Sequence, residues 1–512
     1  MRKAMFIAAG AALLALAVGP VSAQATPVPT DPAGAHATVP GQPTTPQPAA
    51  SADDAAKAAV TLAPADPKAQ APASPTTKVS PNALTKNSYG QGFRFTTQDN
   101  RFSLRIMGAV QFRYTYMKYD HEVSGNSQDY SNFFMRRARI WFDGHAYSPK
   151  LTYLLHVQLE PSSAVNLHDA WINYAFHPMF QVGAGRNKIS YGLEFLNSGF
   201  GLELVERSIL SGETDINAGG GFSKYPGGGT QGFGVSAEQA NTGYPVGGFN
   251  LFRSQGVQVS GRNGDKGQVF EYQAGVWNGR DTKGASNPDT KHLFAGRVGY
   301  YPNGWINWLF TGDIDNTQTV KVGLLASIYS DETGHTLNAA GQNVGLYDAK
   351  DLGYDFAAML RYKGFSTDAE YEHERYEIGD TTAAADHFDR QAFRVESGYF
   401  IKPKVLQVVG RYAMVQRLVD PTVAGVTASG LGFAKILDPD TGTFVNAAEH
   451  RITEMTFGVS YYMGGAAHQH KFIVDYSHLT RDFSGWVSGT TLVGPVPEQK
   501  DNRVRALIQL KF

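Results

Sequence analysis

Polar and apolar residues alternate along most of the chain, most strictly between Asn132 and Gly185. In LTYLLHVQLE, Leu151, Tyr153, Leu155, Val157 and Leu159 share one face, while Thr152, His156, Gln158 and Glu160 fall mainly on the other. In LHDAWINYAFH, Ala170, Ile172, Tyr174 and Phe176 oppose Asp169, Asn173 and His177. A period of two marks strands, because successive side chains leave a pleated ribbon on opposite sides. Joints as short as Tyr147-Ser148-Pro149-Lys150 and His177-Pro178-Met179 make neighbouring strands antiparallel. The polar face carries Arg137, Arg139, His156, Glu160, Asp169 and Asn173. Aliphatic ladders backed by that much charge fit a sheet whose apolar side meets lipid and whose polar side lines water.

Followed through the chain, the pattern predicts sixteen strands, near 102–118, 133–147, 151–160, 167–177, 180–185, 255–262, 268–278, 291–301, 319–330, 352–363, 365–377, 390–401, 404–418, 451–463, 470–479 and 502–512. An even number puts both ends of the sheet on one side. The short joints at Pro149, Pro178, Asn263, Gly364, Pro403 and Gly465 would then be periplasmic and the long ones extracellular. Residues Ile306–Ile314 could supply a further strand. The expected fold is all-β, an antiparallel transmembrane barrel.

After Gly185 the alternation stops. RNKISYGLEFLNSGFGLELVERSIL runs into the glycine-dense GGGFSKYPGGGTQGFG. A long connection of this kind stands over the mouth of a barrel or folds into the bore. Folded inward, it would bring Arg186 and Lys188 near Arg136, Arg137 and Arg139, making a basic constriction that favours anions. The competing reading pairs these arginines with Glu194, Glu203 and Glu206 to brace the loop.

Residues 1–23 carry Arg2 and Lys3, an apolar run to Val18, and Val21-Ser22-Ala23 as a small-x-small site, which reads as a cleaved secretory signal peptide. From Gln24 to about Ser88 the chain is mostly Ala, Pro, Thr, Gln and Ser, a composition that cannot bury enough apolar surface to order itself. It is expected to be a disordered periplasmic linker ahead of a barrel domain over 89–512. Cysteine is absent, which removes disulfides and thiolate metal sites. A formal charge of -1 gives no global field for nucleic acid. Beyond the signal peptide no window is apolar for long enough to be a spanning helix, although alternating strands escape that test.

Candidate chemistry outside the basic cluster is thin. His468-Gln469-His470 sits in an expected tight turn and reads as solvated. Asp313-Ile314-Asp315-Asn316 lacks the Gly and distal Glu of a calcium loop. His168 and Asp169 are adjacent on a strand, so their side chains should diverge and form no general-base dyad. No nucleophile elbow, phosphate-cradling motif or zinc helix is present, so neither an enzyme nor a cofactor is expected. The final strand, DNRVRALIQLKF, alternates and stops on Phe512. It resembles the tail that outer-membrane assembly machinery reads.

FFMRRARIWFDG, LHDAWINYAFHP, VGAGRNKISYGLE and LVERS together resemble the phosphate-selective porin O/P family of Gram-negative outer membranes. The likeness runs in layout from Gly92 to Phe512 and is sharpest over Phe133–Leu210. It implies a sixteen-stranded, usually trimeric barrel with an inward third loop, set in lipid and lipopolysaccharide, that conducts small anions such as phosphate. Arg136 and Arg137 correspond to paired arginines at the family's constriction, and Asp169 to an acidic neighbour there. Lys188 falls where family members carry Tyr or Asp, and Arg139 where they carry an aromatic. The region matching the family's arginine ladder, TQTVKVGLLASIYS, holds only Lys321, and Phe195 replaces a lysine expected after SYGLE. Two other readings stay open: a general diffusion porin whose arginines set a transverse field, and an outer-membrane anchor tethered through the N-terminal arm.

Overall fold

The computed structural model describes residues 92–512, apart from 123–128, 160–165, 212–250, 252, 280–290, 334–348, 379–386, 419–432, 438–443, 464–467 and 489–490. The chain opens with the short β1 (Phe93–Thr96), followed by β2 (Ser103–Lys118), β3 (Tyr130–Ala146), β4 (Ser148–Gln158), β5 (Asn166–His177) and β6 (Phe180–Lys188). After the one-turn helix α1 (Leu193–Leu196) come β7 (Arg253–Arg262), β8 (Val269–Trp277), β9 (Leu293–Tyr301), β10 (Lys321–Thr333) and β11 (Ala349–Tyr362). Next are β12 (Phe365–Ile378), β13 (His387–Lys402), β14 (Leu406–Arg417) and the short β15 (Phe433–Leu437). The last are β16 (Phe444–Tyr462), β17 (His470–Ser488), the short β18 (Thr491–Val493) and β19 (Gln499–Lys511).

Each long strand pairs antiparallel with the next, and β19 returns to β2 with Lys511 opposite Ala109, closing a barrel of 16 strands. All sixteen predicted strands are present; most ends shift by a few residues, but the strand predicted over 451–463 begins at Phe444 and the one predicted over 470–479 runs on to Ser488. Closure gives each long strand a partner on both sides, the condition for a sheet to stand in hydrocarbon. At the seam Gly108 and Phe512 exchange backbone hydrogen bonds of 2.7 and 2.8 Å. Gly108 leaves room for the Phe512 ring, whose carbons lie 2.6 Å from where a Cβ would stand. Beyond Phe512, β1 takes the vacated place beside β2, with Phe93 opposite Ile106.

The wall is inverted relative to a soluble protein. Phe133, Ile172, Phe176, Phe294, Ile401 and Phe457 are each more than half exposed on the outside, whereas Arg113, Arg136, Arg137, Arg390, Arg394 and Arg505 are fully buried within. No helix among the described residues is long and apolar enough to cross a membrane. Joints at one end are tight: Lys363-Gly364 turns with φ of 47° and 81° at its two residues, as a two-residue hairpin of this twist requires. One connection at that end breaks the rule of short joints. Residues 302–320, between β9 and β10, enter the bore and form no strand, so the further strand expected over Ile306–Ile314 is absent.

Candidate functional site

A bulge sets the basic wall. Gln111 pairs with Arg137 and Phe112 with Met135, leaving Arg136 as an extra residue in β3. The extra residue lets two consecutive side chains face the bore, so Arg136 and Arg137 are both buried there, with Arg139 and Trp141 following on the same face. The two arginines meet on one carboxylate. Arg136 Nε lies 2.7 Å from Glu206 Oε2 and Arg137 Nη2 2.6 Å from Glu206 Oε1, with Arg113 Nη1 at 3.4 Å. Burial opposes the charge on Glu206, yet Arg136, Arg137 and Arg113 hold its carboxyl well below the usual range.

Glu206 belongs to the third loop, whose residues 189–211 run across the bore. Lys188, at the end of β6, donates to the carbonyls of Phe195, Leu196 and Asn197 at 2.6, 3.1 and 2.8 Å. Arg207 adds Glu194 O at 3.0 Å and Asn197 O at 2.6 Å. Together they satisfy the orphan carbonyls at the end of α1. Carboxylates on the far wall receive the loop's amides: Val205 N donates to Asp475 Oδ2 at 3.0 Å and Ile209 N to Glu454 Oε2 at 2.9 Å. The loop therefore lies inside the bore, and Arg136 and Arg137 brace it through Glu206.

The segment 302–320 meets this loop from the other end. Ser198 N donates to Leu309 O at 2.8 Å, Thr311 N to Gly201 O at 3.0 Å and Glu203 N to Thr311 Oγ1 at 2.8 Å, while the Asn197 amide reaches Trp308 O. Phe310 stacks on His468 at 5.4 Å. His468 is 4% exposed and hydrogen-bonds Thr311 O through Nε2 at 3.1 Å, which corrects the solvated-turn reading. Asp313 accepts from Thr317 N and Gly364 N, so its carboxylate closes turns.

A second bulge corrects the expectation for His168 and Asp169. His156 pairs with Asp169 and Val157 with Leu167, so His168 is the extra residue and both neighbours turn inward, 2% and 6% exposed. Asp169 binds Arg253 Nε through Oδ1 and His156 Nδ1 through Oδ2, each at 2.7 Å. Donor atoms of His156, His168 and Asp169 lie within 4.8 Å of one another and could hold a metal, but the Arg253 guanidinium on the same carboxylate opposes a second cation. Arg139 donates to Gln158 Oε1 at 3.2 Å. Arg186 is buried nearby, and its Nε and Nη1 have no partner in the protein.

These elements enclose a cavity of about 340 Å³. Five cationic side chains, Arg137, Arg139, Lys188, Arg207 and Arg253, face it against one carboxylate, Asp169. Of the expected residues, Arg137, Arg139, Asp169 and Lys188 line it, while Arg136 and Arg186 do not. Arg207, Arg253 and Trp308 were missed by sequence reasoning. Arg253 follows the glycine-dense run and Trp308 sits in an apparent joint, so no local signal points to either.

The chain is similar in fold to an anion-selective porin from Comamonas acidovorans, at 11% identity and a TM-score of 0.48, over 80% of this chain and 100% of that one. It is also similar to Pseudomonas putida OprB (10%, TM-score 0.46, 80% and 94%) and to the outer membrane channel DcaP of Acinetobacter baumannii (13%, TM-score 0.44, 82% and 99%). Likeness at this level decides nothing about substrate. No curated protein sequence matches the chain. The family model for the phosphate-selective porins O and P matches residues 107–512, and the chain, an outer-membrane porin, belongs to that family.

Proposed function

We propose that this porin passes small anions, phosphate and related oxyanions among them, by passive diffusion through the neck formed by the third loop. The excess of cations carries the proposal: five face the cavity against Asp169, with Glu206 bound behind Arg137. Fixed charges in a narrow bore with low-dielectric walls focus the field and raise the local concentration of counter-ions. Arginine suits the task because its planar fork matches oxyanions and stays charged at any workable pH. Asp169 keeps the trap shallow, so that a bound anion can leave.

On the far wall Glu370 pairs with Arg394 at 2.9 Å, Asp368 with Arg361 at 2.7 Å and Asp475 with Arg505 at 2.8 Å, while Asp355 and Glu372 crowd against Glu370, so carboxylates gather opposite the basic neck. Tight phosphate selectivity is less supported. Lys321, the single cation where the family carries an arginine ladder, reaches Trp305 O at 3.2 Å. Assembly as a homotrimer in lipid and lipopolysaccharide, recognition of Phe512 by assembly machinery, a cleaved leader over 1–23 and a linker role for 24–88 complete the proposal. Reversal potentials across planar bilayers in a KCl gradient test it: chloride should permeate better than potassium, and a cation preference would refute the basic neck.

A further inference from the structure

We infer that the neck selects aromatic carboxylates among the anions it admits. The inference rests on the anion-porin reading and deepens it. Inorganic phosphate needs only charge and hydrogen bonds, yet the cavity walls are rich in flat apolar surface: Trp141, Trp171, Trp308, Phe195 and Phe200 all line it. Half of the protein's 6 tryptophans are thus gathered at one place. Phe195 and Phe200 are buried, but Trp141, Trp171 and Trp308 are only partly so, and apolar surface facing a water-filled bore is unfavourable unless something apolar covers it. A cavity of about 340 Å³ also suits a small organic molecule, not a bare ion.

The rings form a continuous surface beside the charges. Trp141 stacks on His156 at 4.6 Å and 23°, and meets Phe200 edge-on at 5.2 Å. His156 meets His168 edge-on at 4.6 Å. The Arg139 guanidinium stands 5.9 Å from the Phe200 centroid, so a carboxylate held by Arg139 leaves its attached ring against this aromatic wall. Hydrogen-bonding groups complete the lining. Asn187, Gln258 and Gln273 line the cavity, and Ser190 Oγ, 3.0 Å from both glutamine side chains, donates its single hydrogen to one of them. Trp308 Nε1 is buried with no partner in the protein, a further donor for a ring hydroxyl or a second carboxylate oxygen. A cationic clamp, an aromatic wall and neutral donors describe an aryl carboxylate, with or without ring hydroxyls.

The experiment titrates block of KCl current through the purified full-length porin in planar bilayers with benzoate, cyclohexanecarboxylate, acetate and inorganic phosphate. Ring stacking predicts a half-blocking concentration for benzoate about fivefold below that for cyclohexanecarboxylate, which carries the same charge without the flat face. Acetate and phosphate should block more weakly still. Trp141→Leu and, separately, Phe200→Leu should each raise the benzoate value about fivefold and shift phosphate by less than about twofold. Heat-modifiable gel mobility confirms that each variant folds, and either folded variant suffices. Equal block by benzoate and cyclohexanecarboxylate, or strongest block by phosphate, in a channel that is still anion-selective overturns the aromatic subsite and leaves the porin reading intact. A cation-selective reversal potential instead removes the anion reading itself.

Discussion

Arg139→Gln isolates the charge of the neck from the bracing of the loop. Arg137 holds Glu206, and Lys188 and Arg207 hold α1, so neutralising any of them would also loosen the third loop. Arg139 instead leans on Gln158 Oε1, a contact that a shorter amide can partly replace. An anion passing at about 5 Å from a guanidinium is favoured by ~0.8 kcal/mol at bulk-water permittivity and by ~3 kcal/mol at an effective value of about 20. The bore is wet and screened over about 10 Å at 0.1 M salt, so the lower figure applies. Losing it lowers the local anion population about fourfold and raises that of cations by the same factor. Four cations remain around the cavity, and the rest of the pore adds series resistance. We therefore expect the chloride-to-potassium permeability ratio to fall by about fivefold. The assay is the reversal potential in a KCl gradient, with Arg375→Gln as the control, since Arg375 is largely exposed and paired with Asp389 at 2.9 Å. An unchanged ratio for Arg139→Gln, or an equal fall in the control, would refute the assignment of selectivity to the neck.

Three further outcomes follow from the same contacts. Burial, reinforced by Glu396 and Asp368 and opposed by Arg361, pushes the carboxyl of Glu203 up to about 8, so its contribution to loop stability is complete below the ordinary carboxylate range and is lost as pH rises through about 8. Open-channel current noise should thus increase between pH 7 and 9, an increase that Glu203→Gln should abolish. Deleting Trp308–Thr311 removes the bonds to Asn197, Ser198, Gly201 and Glu203 and should raise single-channel conductance, which bilayer recordings would show directly. Gly185 has φ of 125° and no space for a side chain, its Cβ position being 2.1 Å from Ala170 O; Gly185→Ala should cost about 1–3 kcal/mol, read as a lower thermal transition of the heat-modifiable band.

What the chain determined by itself was everything that depends on a period of two. Alternation separates Ile172 and Phe176 from Asp169 and Asn173 without reference to any other strand, and tight joints at Pro178 and Gly364 impose antiparallel order, so the barrel and its strand count were legible. The candidate arginines were legible for the same reason, since charge on one face of an amphipathic strand has one place to go.

Tertiary structure decided where that rule fails and what fills the hole. A bulge depends on how many residues the partner strand offers, and this is why Arg136 joins Arg137 inside and His168 joins Asp169 instead of diverging from it. Residues 302–320 lack a period of their own, and their place was set by docking on a loop about a hundred residues earlier. The cavity owes Arg207, Arg253 and Trp308 to the third loop, the start of β7 and the 302–320 connection, which meet only once the sheet has closed, because contacts across a bore leave no trace in local spacing.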